Sequence, residues 1–377
     1  MATSVEKAIL GLIVVSLLVS AGNMVFLNML MGVPARMEAI EARLRSMEDK
    51  LLAGELFPGE TELYMKAKEE GALIVYTVWD VEDIVKLLAE FSKRYPGIST
   101  TYWQAKNPDI VARVLSEYEA GQASVDVIAS DSAPPVLKPY GAIKSYTTVQ
   151  LKELLVQDPD MPVVNLQVQV LAYNSQVLKS LGIPPPSTWE DVINPIYKGL
   201  VALDDPLRAG PGSHVLVMLR EYWKNDTKWE NFIRGLKALE VPVHQSTSAM
   251  MRLVVAGEYA IGFPLLSHDV IREQQKGSPI EIVKTVDPIT VFPRYAAIYA
   301  NAPHPNAAKL FAEWLCSIEG QLVFAELMRT PSRRGVPSSV SIDAIYGAGA
   351  TYVLPSMEYM QNTKGYVDAY IKPIWTG

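Results

Sequence analysis

The sequence predicts an α/β protein of two lobes with a hinge between them, preceded by a long N-terminal helix. Three observations support this fold class. Strand and helix patterns alternate through most of the 377 residues. Two unusually long strand patterns interrupt the alternation, and the N-terminus carries an uncharged apolar run. The chain is also too long for one small core.

The N-terminal apolar run covers residues 8–31 and contains no charged side chain. About 20 such residues span a bilayer as a helix, so we expect a retained membrane anchor. A cleaved secretory signal is the alternative, because Ser20, Ala21 and Gly22 supply small residues. The run continues beyond them and exceeds a usual signal core.

Apolar residues at alternating spacings of three and four follow this run and form a heptad seam. They are Met37, Ile40, Leu44, Met47 and Leu51. Residues 1–53 are therefore predicted to form the anchor and a helical stalk, with residues 8–52 as a candidate self-association helix. An amphipathic helix lying on the membrane or on the body is the alternative.

The body begins after residues 54–61, whose turn-forming composition predicts a linker. Beyond it, "ALIVYTV", "ISTTYW" and "VDVIAS" predict strands, and the segments between them predict helices. Such alternation predicts parallel strands with helices on both faces and ligands beyond the carboxyl ends of the strands. The candidate ligand-binding residues at these ends are Trp79, Asp80, Ser130, Asp131 and Ser132.

The long patterns at residues 163–174 and 289–301 predict two strands that form the hinge between the lobes. The first lobe is expected to hold residues 62–165 and about 295–335, and the second about 166–294 and 336–377. Within the second, "IPPPSTWEDVINPIYKG" predicts a proline-stiffened spacer and a short helix. Ser187 and Glu190 form its predicted capping box, and Pro195 ends it.

The loop "DDPLRAGPGS" lies between a predicted strand and a predicted helix start. Gly210 and Gly212 let backbone amides approach a ligand closely, and a helix N-terminus favours anions. Arg208 adds a guanidinium that can bind phosphate or carboxylate through two hydrogen bonds. Arg208, Gly210, Gly212 and Ser213 are therefore candidate anion ligands. A plain turn with a solvated arginine is the alternative.

Composition argues against several functional classes. The net charge of −7 argues against a nucleic-acid partner. Cys316 is the only cysteine, which excludes an intramolecular disulfide, and the four histidines show no metal-ligand spacing. The sequence contains neither a Walker A loop nor a dinucleotide-binding G-x-G-x-x-G motif after a strand. We therefore expect no enzyme activity and no cofactor.

Four segments carry a family resemblance: "IVYTVWDVEDIVKLLAEFSKRYPGI", "LAYNSQVLKSLGIPPPSTWEDVINPIYKGLVALDDP", "GEYAIGF" and "ANAPHPNAAKLFAEWLCSIEGQ". They resemble extracellular solute-binding proteins of ABC importers, in the type II periplasmic-binding-protein family related to ferric-iron-binding proteins. The resemblance covers residues 71–337. It implies a hinged two-lobed fold, a cleft that binds a solute, and an ABC permease with its ATPase subunits as partners.

The N-terminal "VEKAILGLIVV" is similar to an archaeal type IV pilin-like signal. That similarity implies processing between Lys7 and Ala8, with the apolar helix retained on the mature protein.

Ferric-binding members of the family carry adjacent tyrosines after the strand matching "GEYAIGF". Here that region is "PLLSHDV", with Ser267 and His268 at those positions. Without two phenolates a hard Fe³⁺ site lacks ligands, so a small organic anion is the expected solute. His268 is a candidate contact, and Trp79 or Tyr295 could stack on a ring or sugar.

The sequence therefore predicts a membrane-anchored solute-binding component of an ABC importer, with its body on the extracellular side. A structural or filament subunit assembled through the pilin-like helix is one alternative. A ferric-iron binder with non-tyrosine ligands is another, and a secreted enzyme on the same scaffold is the third.

Overall fold

Two long antiparallel strands, β5 (Val163–Asn174) and β10 (Ile289–Tyr299), lie at the centre of the sheet. Both long strand predictions are confirmed. The computed structural model describes residues 54–377, and the predicted anchor, stalk and pilin-like signal lie outside them. Residues Leu56–Gly377 form one compact unit. Among the helices of the described residues, none has the length and apolarity that crossing a membrane requires.

The central strands separate two halves of one sheet. The first half consists of β1 (Ala72–Thr77), β2 (Ser99–Gln104), β3 (Val127–Ser130) and the short β4 (Ile143–Lys144). The second half consists of β6 (Val201–Asp204), β7 (Val243–His244), β8 (Ile261–Leu266) and β9 (Ile280–Ile282). The main path is β2-β1-β3-β10-β5-β8-β6-β7, with β11 (Thr330–Pro331) on β5 and β12 (Tyr352–Val353) on β10.

Strand direction follows the prediction only in part. Strands β1, β2 and β3 are parallel to one another, and β6 is parallel to β7 and β8. The pairs β3–β10, β10–β5 and β5–β8 are antiparallel. The sheet is therefore mixed, because the two long strands run against their neighbours at its centre.

Helices fill the connections between the strands. In chain order they are α1 (Glu60–Glu70), α2 (Val81–Arg94), α3 (Asn107–Glu119), α4 (Ala133–Leu137), α5 (Ser175–Leu181), α6 (Pro211–Trp223), α7 (Asp226–Ala238), α8 (Thr247–Ala256), α9 (Ser267–Gln275), α10 (Pro305–Cys316), α11 (Ile318–Glu326), α12 (Ile342–Tyr346), α13 (Met357–Gln361), α14 (Thr363–Tyr366) and α15 (Lys372–Thr376). Short 3₁₀ turns lie at Lys138–Tyr140, Leu151–Glu153, Glu190–Ile193 and Pro195–Tyr197, and a π turn at Val367–Ile371.

Helix α2 illustrates how sequence pattern becomes packing. Ile84, Leu87, Leu88 and Phe91 recur at helical spacing and are buried. The Phe91 ring packs edge-on against Phe311 of α10, with ring centroids 5.1 Å apart. Removing a buried ring of this kind costs about 3–5 kcal/mol. This contact holds α2 against α10.

Two local predictions are wrong. Helix α1 begins at Glu60, inside the predicted linker, because the buried Glu60 carboxylate accepts hydrogen bonds from Arg94 and Tyr95. In the proline-rich spacer only 3₁₀ turns form. There the capping box consists of Thr188 and Asp191, in which each backbone amide donates to the other side chain.

Candidate functional site

The carboxyl ends of β1 and β3 lie side by side, as the sequence predicts. Thr77 of β1 pairs with Ala129 of β3. Trp79 follows β1 and is buried, with its ring centroid 5.5 Å from that of Phe324. Its indole Nε1 has no hydrogen-bond partner within residues 54–377. A donor shielded from water and left without an acceptor is rare in proteins.

The residues after β3 form a hydrogen-bonded cluster around Asp131. Asn107 of α3 donates to Asp131 Oδ1 at 2.7 Å, and the Ser132 amide donates to the same oxygen at 2.7 Å. The Ser130 hydroxyl donates to Asn107. Burial alone would raise the pKa of Asp131, but Arg294, Asn107 and Ser132 together lower it below its ordinary value. Asp131 is therefore a fixed negative charge.

Arg294 on β10 faces this carboxylate from the centre of the sheet. Its Nε lies 3.6 Å from Asp131 Oδ2, which is beyond hydrogen-bonding distance. Among the described residues, this Nε has no hydrogen-bond partner. Burial lowers the pKa of the Arg294 guanidinium from its ordinary value, and the Asp131 charge opposes that shift. The site thus contains a buried cation with unused hydrogen-bonding capacity.

Arg329, which precedes β11, connects the two halves. Its guanidinium donates to Asp83 Oδ2 at 2.7 Å and to Asp80 Oδ2 at 2.6 Å, both from α2 or the residue before it. Its Nη1 lies 2.8 Å from Nε2 of His268 on α9. Burial, reinforced by the charge of Arg329, holds the pKa of His268 well below its ordinary range. His268 is therefore neutral and accepts the hydrogen bond.

The loop before α6 forms hydrogen bonds to the carboxylate of Asp204, which lies at the end of β6. Asp204 accepts hydrogen bonds from Arg208 Nη2 at 3.1 Å and from the Gly212 amide at 2.8 Å. A Cβ on Gly212 would lie 2.5 Å from the Asp204 carbonyl oxygen, so only glycine fits there. The Gly210 amide donates to the Ser213 hydroxyl at 3.2 Å. The loop amides predicted to receive an anion thus bind Asp204 and Ser213.

Two candidate residues contact helix α13, which lies near the C-terminus. The Ser213 hydroxyl lies 2.9 Å from that of Tyr359, and both are buried. The Tyr295 hydroxyl donates to the Met360 sulfur at 3.8 Å, and its ring is buried. Burial raises the pKa of Tyr295 and Tyr359 far above the ordinary value. Both tyrosines are thus neutral packing groups.

His214, at the start of α6, is a site residue that the sequence analysis missed. Its ring stacks on Phe292 of β10 with centroids 4.2 Å apart. Burial lowers its pKa to about 4, and the nearby Asp131 charge partly opposes this. No residue of the described part of the chain bonds its Nδ1. His214 thus brings α6 of the second half close to Asp131 of the first.

The sequence analysis also missed Arg294 and Arg329. A signal for Arg294 was present, because it is a charged residue in the otherwise apolar "ITVFPRYAAIYAN". Arg329 gave no comparable local signal, since its partners Asp83 and His268 lie far away in the sequence. Within residues 54–377, no three His, Cys, Asp or Glu side chains are grouped to hold a metal ion.

Several polar atoms of the candidate site residues and of residues beside them in the fold are shielded from solvent and have no hydrogen-bond partner within residues 54–377. They are Trp79 Nε1, Arg208 Nε, His214 Nδ1, Ser267 Oγ and Arg294 Nε. The indole, the two guanidinium groups and the hydroxyl can each donate a hydrogen bond. His214 Nδ1 donates in one tautomer of the neutral ring and accepts in the other. Such a set fits a ligand rich in acceptor oxygens.

Comparison with known proteins identifies relatives of most of the body. The family model described as bacterial extracellular solute-binding protein matches residues 80–322. A Haemophilus influenzae protein described only as uncharacterized is 26% identical over 272 residues, covering 68% of this chain and 75% of that protein.

Solved structures show the same architecture. The periplasmic binding protein P5PA superposes with a TM-score of 0.64 at 21% identity, covering 81% of this chain and 99% of that one. AfuA from Actinobacillus pleuropneumoniae, with exogenous fructose-6-phosphate bound, gives 0.66 at 19% identity and 81% and 99% coverage. Iron-bound HitA from Pseudomonas aeruginosa gives 0.66 at 15% identity and 80% and 99% coverage. The body thus has the curled mixed sheet of type II periplasmic binding proteins.

Proposed function

The chain belongs to the bacterial extracellular solute-binding protein family, and from that premise we propose that it captures a small organic anion for an ABC importer. Members of this family bind solutes and are not enzymes. In the proposal, the solute lies where the two halves of the sheet meet and is delivered to the permease and its ATPase subunits.

The observation that carries the anion proposal is the state of Arg294. Its side chain is 13% exposed, and its Nε forms a loose ion pair with Asp131 at 3.6 Å. The Nε itself is shielded and has no hydrogen-bond partner within residues 54–377. Burying a cation in this state is unfavourable unless a partner anion compensates for the lost hydration. Asp131 is the nearest carboxylate, yet it accepts its hydrogen bonds from Asn107 and Ser132. A solute carboxylate or phosphate would complete the guanidinium's bonding.

Neighbouring donors support the same class of solute. Trp79 Nε1 and Ser267 Oγ are also shielded and unbonded within the described residues. Arg208 contributes in the proposal through its Nε, since one of its terminal nitrogens already binds Asp204. Asp80, Ser130, Asp131, Ser132 and His268 would act mainly by positioning these cations and strand ends. The amides of Gly210 and Gly212 would hold the loop that carries Arg208.

The solved neighbours hold ligands of two kinds, a sugar phosphate in AfuA and iron in HitA. Ferric iron requires electron-pair donors, preferably several oxygens or phenolates. The shielded, unbonded groups of Arg294, Trp79 and Ser267 are N–H and O–H donors instead. This chemistry favours an organic anion over bare iron.

The anchoring and hinge proposals rest on the sequence. Residues 8–31 would hold the protein at the cell membrane, with the body on the extracellular side.

The long strands β5 and β10 would form the hinge, because they connect the halves. Solution X-ray scattering should show a smaller radius of gyration with solute, and an unchanged profile with tightly bound solute would contradict closure.

The test is calorimetry of the full chain in detergent against phosphate monoesters, carboxylates, a ferric salt and neutral sugars. Arg294→Met removes the central cation while keeping an unbranched side chain. A charge-assisted hydrogen bond contributes about 1.5–3 kcal/mol, so affinity for the best anion should fall about 10- to 100-fold. Arg252→Met on the exposed face of α8 is the matched control. Tight binding of a neutral solute, equal in all three proteins, would contradict the proposal.

A further inference from the structure

Three side-chain amides line one face of the central strand β5. Asn165, Gln167 and Gln169 alternate with Leu166 and Val168, so they point to the same side of the sheet. Their relative exposures are 1%, 9% and 0%, which makes them core residues by burial. We call these three residues the amide row. Apolar side chains at the same positions would normally fill such a place.

The sheet register places the amide row beside Arg294. Arg294 of β10 pairs with Asn165, and Phe292 pairs with Gln167. Directly paired residues share a face of the sheet. Because the His214 ring stacks on Phe292, this is also the face that α6 covers. The amide row therefore extends from Arg294 along the face of β5 that α6 covers.

The amide row is incompletely bonded. Gln169 Nε2 reaches Gln167 Oε1 only at 3.4 Å, a weak contact. Asn165 Oδ1 and Gln169 Oε1 accept no hydrogen bond from any residue that the structure describes. Flipping an amide exchanges oxygen and nitrogen but leaves the same number of polar atoms to satisfy.

A structural glutamine in the same protein shows the contrast. Gln321 is equally buried, and its Oε1 accepts from the Ser332 and Arg333 amides at 2.7 and 3.2 Å. Its Nε2 donates to two backbone carbonyl groups, those of Val164 and Leu315. This fold therefore satisfies a glutamine that serves packing alone. The unsatisfied oxygens of the amide row indicate a missing partner.

We propose that the amide row recognises hydroxyl groups of the solute, so that the solute is a polyhydroxylated organic anion whose charge lies at Arg294. This inference rests on the proposed function and specifies its substrate class. A hydroxyl group both donates and accepts, as an amide does. An alkyl chain would leave the amide oxygens unpaired, and an ammonium group would leave the amide nitrogens unpaired. Neighbouring amides of the row are separated by about 7 Å, two residues of a strand, which suits a sugar-sized molecule.

The experiment compares matched six-carbon phosphate esters on the full chain in detergent by calorimetry. Sorbitol 6-phosphate carries hydroxyl groups, hexyl phosphate carries none, and 6-aminohexyl phosphate carries an ammonium group. We expect sorbitol 6-phosphate to bind at least about tenfold more tightly than either of the others. Gln169→Leu and, as a second variant, Asn165→Leu should each reduce that preference about three- to tenfold. Both should retain the affinity for hexyl phosphate, which shows that they fold. Asn231→Leu on the exposed face of α7 should change neither quantity.

Two results would overturn the inference in different ways. Hexyl or aminohexyl phosphate binding as tightly as sorbitol 6-phosphate would refute the hydroxyl assignment and leave the proposed anion site standing. Binding of none of the three phosphates, nor of gluconate or hexanoate, would refute the anion site and the inference with it.

Discussion

Arg329 Nη1 lies 2.8 Å from His268 Nε2, while the same guanidinium bonds Asp83 at 2.7 Å. One side chain thereby connects α2 of the first half with α9 of the second. Burial raises the pKa of Asp83, and the charge of Arg329 opposes that rise. The contact requires a neutral imidazole, because a protonated His268 would repel the guanidinium. Acidification should therefore weaken the junction.

His214 gives the protein a second, separate pH dependence that can be tested. Burial lowers its folded pKa from 6.5 to about 4, so the folded state favours the neutral ring. Its contribution is complete above pH 6.5 and is lost as pH falls from 6.5 to about 4. The difference corresponds to up to roughly 3 kcal/mol. His214→Phe keeps a ring against Phe292 and does not titrate. Its free energy of unfolding should fall less than that of the wild type between pH 7 and pH 4.5.

The comparison cancels titrating groups that do not interact with His214, such as His268, because both proteins contain them. The response of Asp131, whose charge acts on His214, is part of the measured difference. Urea unfolding at several pH values measures the difference. Parallel pH profiles of the two proteins would show that His214 is not buried as a neutral ring.

The Gly212 backbone is tightly confined, and Gly210 offers a matched control two residues away. A Cβ at position 212 would lie 2.5 Å from the Asp204 carbonyl oxygen. Gly212→Ala should therefore destabilise the protein by about 1–3 kcal/mol or more. At position 210 the backbone is extended, with φ −179°, and the nearest atom to a Cβ is the Arg208 guanidinium at 3.4 Å. Gly210→Ala should cost much less, and equal losses in thermal unfolding would contradict the loop geometry.

Arg208 has a structural role that the sequence did not reveal. From the sequence, Arg208→Ala is expected to weaken solute binding while leaving stability nearly intact. The guanidinium, however, donates a hydrogen bond to the Asp204 carboxylate. Burial raises the pKa of Asp204, and the Gly212 amide and Arg208 oppose that rise. Arg208→Ala should therefore lower the free energy of unfolding at pH 7 by about 1–2 kcal/mol. In the Asp204→Asn background, Arg208→Ala should lower the free energy of unfolding by less. A double-mutant cycle measures this difference. Additive effects would indicate that the two side chains do not interact.

Periodic segments made the fold predictable. The alternation of apolar and polar residues from Val164 to Val170 identifies β5, and the helical spacing of Ile84, Leu87 and Phe91 identifies α2. Predictions for shorter segments were wrong where a hydrogen bond from a neighbouring side chain determined the local structure. Asp191, not Glu190, caps the turn in the spacer, because its carboxylate accepts from the Ser187 and Thr188 amides.

The site was predictable only at strand ends. Asp131 and Trp79 follow strands, and an α/β pattern places ligands there. Arg294 and Arg329 depend on pairings between residues far apart in the chain, such as Arg294 with Asp131 and Arg329 with Asp83. Local spacing carries no information about such pairs. The role of the amide row was unpredictable for the same reason, because only the strand register places Asn165 beside Arg294.

The most direct test of the account is native mass spectrometry of the full chain purified from its source, followed by identification of the released solute. The account predicts one small organic molecule per chain, negatively charged at neutral pH, that is retained by Arg252→Met and lost by Arg294→Met. A bound ferric ion, or a neutral or cationic solute retained equally by both variants, would contradict it.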